Sequence, residues 1–332
     1  REFDIVTLDR VKRIDVEPDL AVWKEYAWAK GIHPAILSYL SLHNDRFYHV
    51  ENTASGVRFV TARGWEDLSS ILYGYEDLDL TPDADLVLQY LQEPETARDF
   101  AGYYDLYAKY RQDYRIPELL SGRISEEEFQ DRCNLVQQAS TDEKISVAGL
   151  LLDGWNSFFQ QFQKEDQFTT ALHDTLKQIR AALLREETLD EIIIQRKQAL
   201  KVKLENHLIS SADYEQNEQI TKILESCLVE TRKKRVNDPQ KNLAILRDAL
   251  SDEVDNRKNL AAQTSLALEN GYRFASEAFE DELLFLTSDL SHNPKAVQFI
   301  STFGCEPYFH YSEQLMFQEK RQTLLREIER HS

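Results

Sequence analysis

The stretch FVTARGWEDLSSILYGYE, residues 59–76, places apolar Trp65, Leu68, Ile71 and Leu72 at helical spacing behind Thr61. That pattern predicts an amphipathic helix with Thr61 as its N-cap. Arg63 then falls in the first turn, where the exposed N–H groups act as about half a positive charge and disfavour a base by roughly 0.3–1 kcal/mol. The guanidinium needs an anion. Glu66 and Asp67, at i+3 and i+4, supply one answer, an ion pair worth about a few tenths of a kcal/mol on an exposed helix. A phosphate, held by the free N–H groups and clamped by the arginine, is the other.

Working outward, RFYHVENTASGVRFVT (46–61) holds two short β-like runs around a Thr-Ala-Ser-Gly loop and predicts a hairpin. In HPAILSYLSLHND (33–45), Pro34 opens a helix that buries Ile36, Leu37 and Leu40. EPDLAVWKEYAWAKG (17–31) predicts another, with Pro18 at its first position, Leu20, Trp23 and Ala27 on one face, and Gly31 as the stop. REFDIVTLDRVKRIDVE (1–17) alternates at Val11, Ile14 and Val16 and reads as a short strand after an irregular lead-in. A further helix is expected near 83–92, ending at Pro94.

Beyond residue 95 the composition changes. Of eight prolines only Pro239, Pro294 and Pro307 lie past Pro117, and of ten glycines only Gly271 and Gly304 lie past Gly154. Long helices follow from that. Ser125 with Glu128 and Thr188 with Glu191 have capping-box spacing, and Asp238-Pro239 places an N-cap before a first-turn proline. Two narrow apolar stripes, Leu189, Ile192, Ile193, Leu200, Leu204, Leu208 and Leu243, Leu246, Leu250, Val254, Leu260, suit helical hairpins or coiled-coil arms. Turns are expected near 209–213, 236–239 and 291–294. The fold class is therefore mainly α: a small helical region with one hairpin, then long antiparallel helices.

The 332 residues are 42% hydrophobic and 29% charged, with a formal net charge of −19. A surface so acidic excludes a grip on nucleic acid, which needs clustered cations. There is no uninterrupted apolar run of about 18 residues to span a membrane. Cys133, Cys227 and Cys305, odd in number and far apart, read as reduced thiols of a cytoplasmic protein. No glycine is followed by lysine, so a Walker A loop is absent from these residues, and neither G-x-G-x-x-G nor G-x-S-x-G occurs. Glu126, Glu127 and Glu128 follow a cap and suit helix electrostatics better than acid–base chemistry. His33, His43 and His49 lack metal-ligand spacing and read as surface or interface histidines. Arg232 to Arg235, RKKR, fits the last turn of a helix.

The segments LDRVKRIDVEPDL (8–20), HPAILSYLS (33–41) and FVTARGWEDLSSIL (59–72) resemble the end of the ATPase core and the helical lid of MoxR-type AAA+ ATPases. The likeness spans roughly residues 1–90. By that resemblance residues 1–17 are the end of the core and 18–94 the lid, and the helix pattern divides the remainder into a helical connector at 95–163 and a long-helix bundle or coiled-coil region at 164–332. Arg63 falls on the sensor-2 arginine, which reaches for the γ-phosphate of ATP, and Arg10, with Arg13 nearby, falls near an arginine finger. His33, Pro34, Trp65 and Glu66 match architectural positions, while Ala62 stands where the family has proline. The resemblance implies ATP and Mg²⁺ held by a core upstream of Arg1, a homo-oligomeric ring such as a hexamer, and remodelling of a partner such as a von Willebrand factor A protein. Arg1 at the start and Met316 as the sole methionine fit a piece of a longer protein, inactive as an ATPase alone. A nucleotide-independent helical adaptor, with Arg63 in a surface ion pair, is the alternative.

Overall fold

The computed structural model describes residues 17–53, 56–185, 187–233, 239–279 and 282–331. The expected strand at 1–17, and with it Arg10 and Arg13, lies outside the described residues but for Glu17. The chain is mainly helical, with one two-stranded antiparallel hairpin among the described residues. No described helix is long and apolar enough to cross a membrane. It divides into two compact units: residues 1–156 with 268–332, and residues 157–267. The cuts at 156/157 and 267/268 differ from the expected boundaries at 94/95 and 163/164.

In the larger unit, α1 (Leu20–Lys30) starts two residues later than the proline pattern suggested. Asp19, not a position before Pro18, is the N-cap, because its Oδ1 accepts from the Ala21 and Val22 N–H groups. Gly31 ends the helix at φ +78, a conformation that other residues adopt at a cost. Pro34 opens α2 (Pro34–Leu42) as expected. The hairpin pairs β1 (His49–Thr53) with β2 (Gly56–Val60) in a register that sets His49 opposite Val60. Then come α3 (Ala62–Asp77), α4 (Ala84–Tyr90), α5 (Pro94–Tyr114), α6 (Ile116–Leu120) and α7 (Glu126–Gln137). The unit is completed by the start of α8 (Thr141–Leu183), the end of α11 (Pro239–Ala278), and α12 (Glu282–Ser291), α13 (Pro294–Phe303) and α14 (Glu306–His331).

Residues 18–94 share their core with later helices, which explains the placement of the cut. Tyr39 of α2 and Trp65 of α3 both pack on Phe100 of α5, with ring centroids 5.3 and 5.4 Å away. All three rings are at most 1% exposed. Tyr103 of α5 donates to Ser38 of α2 at 2.7 Å and accepts from Ser146 of α8 at 3.2 Å.

The smaller unit contains the rest of α8, α9 (Leu189–Glu205), α10 (Ser211–Lys233) and the first part of α11. Thr188 and Glu191 form the expected capping box. The chain turns at His207, φ +54, and restarts where Ser210 accepts from the Asp213 N–H at 3.1 Å. Cross-ties show that α9 and α10 are antiparallel. Asp190 pairs with Arg232 and Lys197 with Glu225, so the partner position falls by seven as the first rises by seven. Leu189, Ile193, Ile220, Leu224 and Cys227 of the two helices are all buried in one core cluster. Leu208, which the pattern put in the stripe, is 71% exposed because α9 ends at Glu205 before reaching it.

Charge is divided unequally. The smaller unit holds 17 of the 39 Lys and Arg and 18 of the 58 Asp and Glu, leaving 22 against 40 elsewhere. Its long helices are therefore near neutral, and the acidity belongs to the other unit. Cys133 and Cys305 are buried in the larger unit and Cys227 in the smaller.

Candidate functional site: the Arg63 turn and the polar cluster behind it

Thr61 caps α3 by accepting from the Gly64 N–H at 3.2 Å, so Arg63 stands in the first turn. The platform beneath it is rigid. Trp65 is fully buried and its indole N–H donates to the Phe47 carbonyl at 3.1 Å, while Leu68 and Leu72 follow on the same buried face. Gly64 allows the α4 C-terminus to approach: a Cβ there would lie 2.7 Å from the Tyr90 carbonyl oxygen. Phe59 adds a backbone hydrogen bond to the Gln92 carbonyl at 3.2 Å. Hairpin, helix start and α4 are thus fastened together around Arg63.

The Arg63 side chain itself is 89% exposed. Its ion pair with Asp67, Nε to Oδ2, is 3.5 Å long, and Glu66 instead accepts from Tyr26 at 2.9 Å. Of the two anions within the helix, then, only Asp67 answers, weakly and in water.

His33 corrects an expectation. It is 1% exposed and lies against Tyr73 and Tyr104, with ring centroids 4.8 and 5.7 Å away, whereas His43 and His49 are exposed. It caps α2: Nδ1 accepts from the Ala35 N–H at 3.2 Å. That leaves Nε2 as the N–H in the neutral ring, and it faces Glu76 Oε1 at 3.4 Å. Glu76 also meets Arg111 at 2.7 Å and Tyr104 at 3.4 Å. The hydrogen bond from His33 holds the Glu76 carboxyl below the usual range, against the effect of burial and aided by Arg111. Burial pushes Asp153 up to about 6, opposed by Arg111 and His33. The cluster borders a cleft of about 400 Å³ lined by Glu76, Tyr104, Tyr107 and Arg111, among others. Burial also holds the Tyr107 phenol well above its ordinary value.

Sequence spacing indicated Arg63, with Trp65 and Glu66 on the same helix, and the resemblance added His33; neither indicated Glu76, Arg111 or Asp153. Tyr104, Tyr107 and Arg111 recur at i, i+3 and i+7 on α5, a one-face pattern that would have pointed to the cluster. Chemically the cluster is a cross-tie that joins α2, α3, α5 and α8 through charge and hydrogen bonds, and it stiffens the helix that carries Arg63.

Compared with known proteins, the chain matches no family, no curated protein and no solved structure.

Proposed function

We infer that the larger unit includes the lid of a MoxR-type AAA+ ATPase and that Arg63 is its sensor-2 arginine. The observation that carries this reading is the exposed guanidinium of Arg63, standing at a helix N-terminus on an otherwise fully packed base. A cation disfavoured by the helix dipole, and only loosely paired, fits an anion supplied from outside these residues. ATP and Mg²⁺ would be held by an upstream core with the phosphate loop and acidic ligands. Bound ATP supplies the phosphoryl group. Arg63 contributes charge to the γ-phosphate, and the packed α3 keeps that charge in place. The ring, the chaperone-like remodelling and a von Willebrand factor A partner belong to this reading, as does Arg10 as the finger presented to a neighbouring subunit.

The test has two parts. The genomic sequence upstream of Arg1 is expected to encode a Walker A loop roughly 200 residues earlier. In the protein so extended, Arg63→Ala is expected to lower ATP turnover at least about tenfold with an unchanged thermal melt. Wild-type turnover in that variant would return Arg63 to its Asp67 ion pair and favour the helical adaptor.

A further inference from the structure

Between α8 and α11 of the smaller unit lies a cleft of about 470 Å³. Leu176, Leu243, Leu246 and Leu250 form its floor, and His173, Lys177, Arg180 and Arg247 its rim. The volume is within the roughly 300–1,000 Å³ of cavities that hold ligands. Among the described residues, no carboxylate lines it. Among the described residues, Lys177, Arg180 and Arg247 form no ion pair, although Asp248 follows Arg247 in the chain and Asp174 lies 3.5 Å from His173. In a chain of net charge −19, three cations without partners around four leucines are a departure from the surface average.

Their arrangement specifies a shape. Positions 173, 177 and 180 follow one face of α8 over about 10 Å of helix axis, at about 1.5 Å per residue. A helix laid in the cleft would meet them with carboxylates at i, i+4 and i+7, and would set large apolar side chains on the leucines. We propose that this cleft docks an acidic amphipathic helix of a partner protein. Two other occupants suit the geometry less. A planar anionic membrane would bridge over a concave floor, and nucleic acid would require a more basic surface than a unit with 17 cations and 18 anions provides. The inference is independent of the reading of Arg63, since it uses residues of the smaller unit alone.

The probe is a display library of helix-favouring peptides of about 16 residues, roughly four turns, selected on the purified chain. Enriched peptides are expected to share Asp or Glu at i, i+4 and i+7 beside Leu, Ile or Phe, and to bind saturably by fluorescence anisotropy. The combined Lys177→Glu, Arg180→Glu and Arg247→Glu variant should weaken binding by about tenfold or more, with unchanged circular dichroism, while Lys203→Glu should have no effect. If the triple reversal perturbs folding, Lys177→Gln with Arg180→Gln should show a smaller loss in the same direction. Enrichment of non-acidic peptides, or affinity indifferent to these substitutions, would overturn the proposal. So would tighter, equally charge-dependent binding to phosphatidylserine vesicles or to an RNA oligonucleotide.

Discussion

Lys24 Nζ of α1 lies 3.0 Å from both carboxylate oxygens of Asp289 on α12, across 265 positions of sequence. Both side chains are at most 10% exposed, and Ser41 joins them at 2.7 and 3.2 Å. A buried pair of this kind is costly to break on one side only, since the remaining charge stays out of water without a partner. Asp289→Ala is therefore expected to destabilise by about 3–5 kcal/mol in urea unfolding, and the double change Lys24→Met with Asp289→Leu to recover most of that loss. Equal destabilisation by the single and double variants would argue against the pair.

Asp153 gives the larger unit a pH dependence of definite sign. Its folded pKa of about 6 lies above its ordinary value of 3.8 because burial favours the neutral acid. The stability it contributes is complete below the unfolded value and is lost as pH rises through about 6. Asp153→Asn should remove that slope. Relative to wild type, the variant should gain on the order of 2–3 kcal/mol between pH 3 and pH 8. Parallel stability profiles for the two proteins would contradict this.

Gly64→Ala tests how closely α4 approaches the Arg63 turn. With the Tyr90 carbonyl 2.7 Å from the added methyl, the backbone of one element must move, at about 1–3 kcal/mol. Arg63→Ala, by contrast, should change stability by less than about 0.5 kcal/mol, because an exposed pair at 3.5 Å contributes little. Melts of the two variants measure both.

Leu246 and Leu250 both line the cleft but at different depths within one helical stripe. Leu246 is 2% exposed, whereas Leu250 is half-buried. Leu246→Asp is expected to cost several kcal/mol and unfold the smaller unit, while Leu250→Asp should be markedly milder since its carboxylate can reach water. Indistinguishable melts would contradict this division.

What the sequence made legible was local. The Ser125 and Thr188 capping boxes, the hairpin around residues 53–56, the Gly31 stop and the turns near 209 and 291 are each written in a few adjacent residues, and each stands where the spacing placed it. The Pro18 reading missed by two because Asp19 is the better N-cap, and proline at N1 is a weaker signal than a carboxylate that accepts two N–H groups. What stayed hidden depends on long-range partners. Nothing near Lys24 announces Asp289, and nothing near His33 announces Glu76 and Tyr104, so a buried histidine looked like a surface one. The sharing of Phe100 between Tyr39 and Trp65 likewise decides where the compact units divide, and periodicity does not record it. Of the candidate site, the position of Arg63 in a first turn was readable, but its degree of exposure was not.

The three buried thiols make the chain a pair of clocks. Burial pushes Cys133 up to about 12 and raises Cys227 and Cys305, so little reactive thiolate exists in the closed fold. Alkylation must wait for opening, and its rate counts openings. Cys227 times the smaller unit, and Cys133 and Cys305 time the larger. Mass spectrometry after pulses of iodoacetamide would thus separate two breathing rates in an unmodified chain, without an introduced dye. A peptide seated between α8 and α11 should slow the Cys227 clock and leave the other two running.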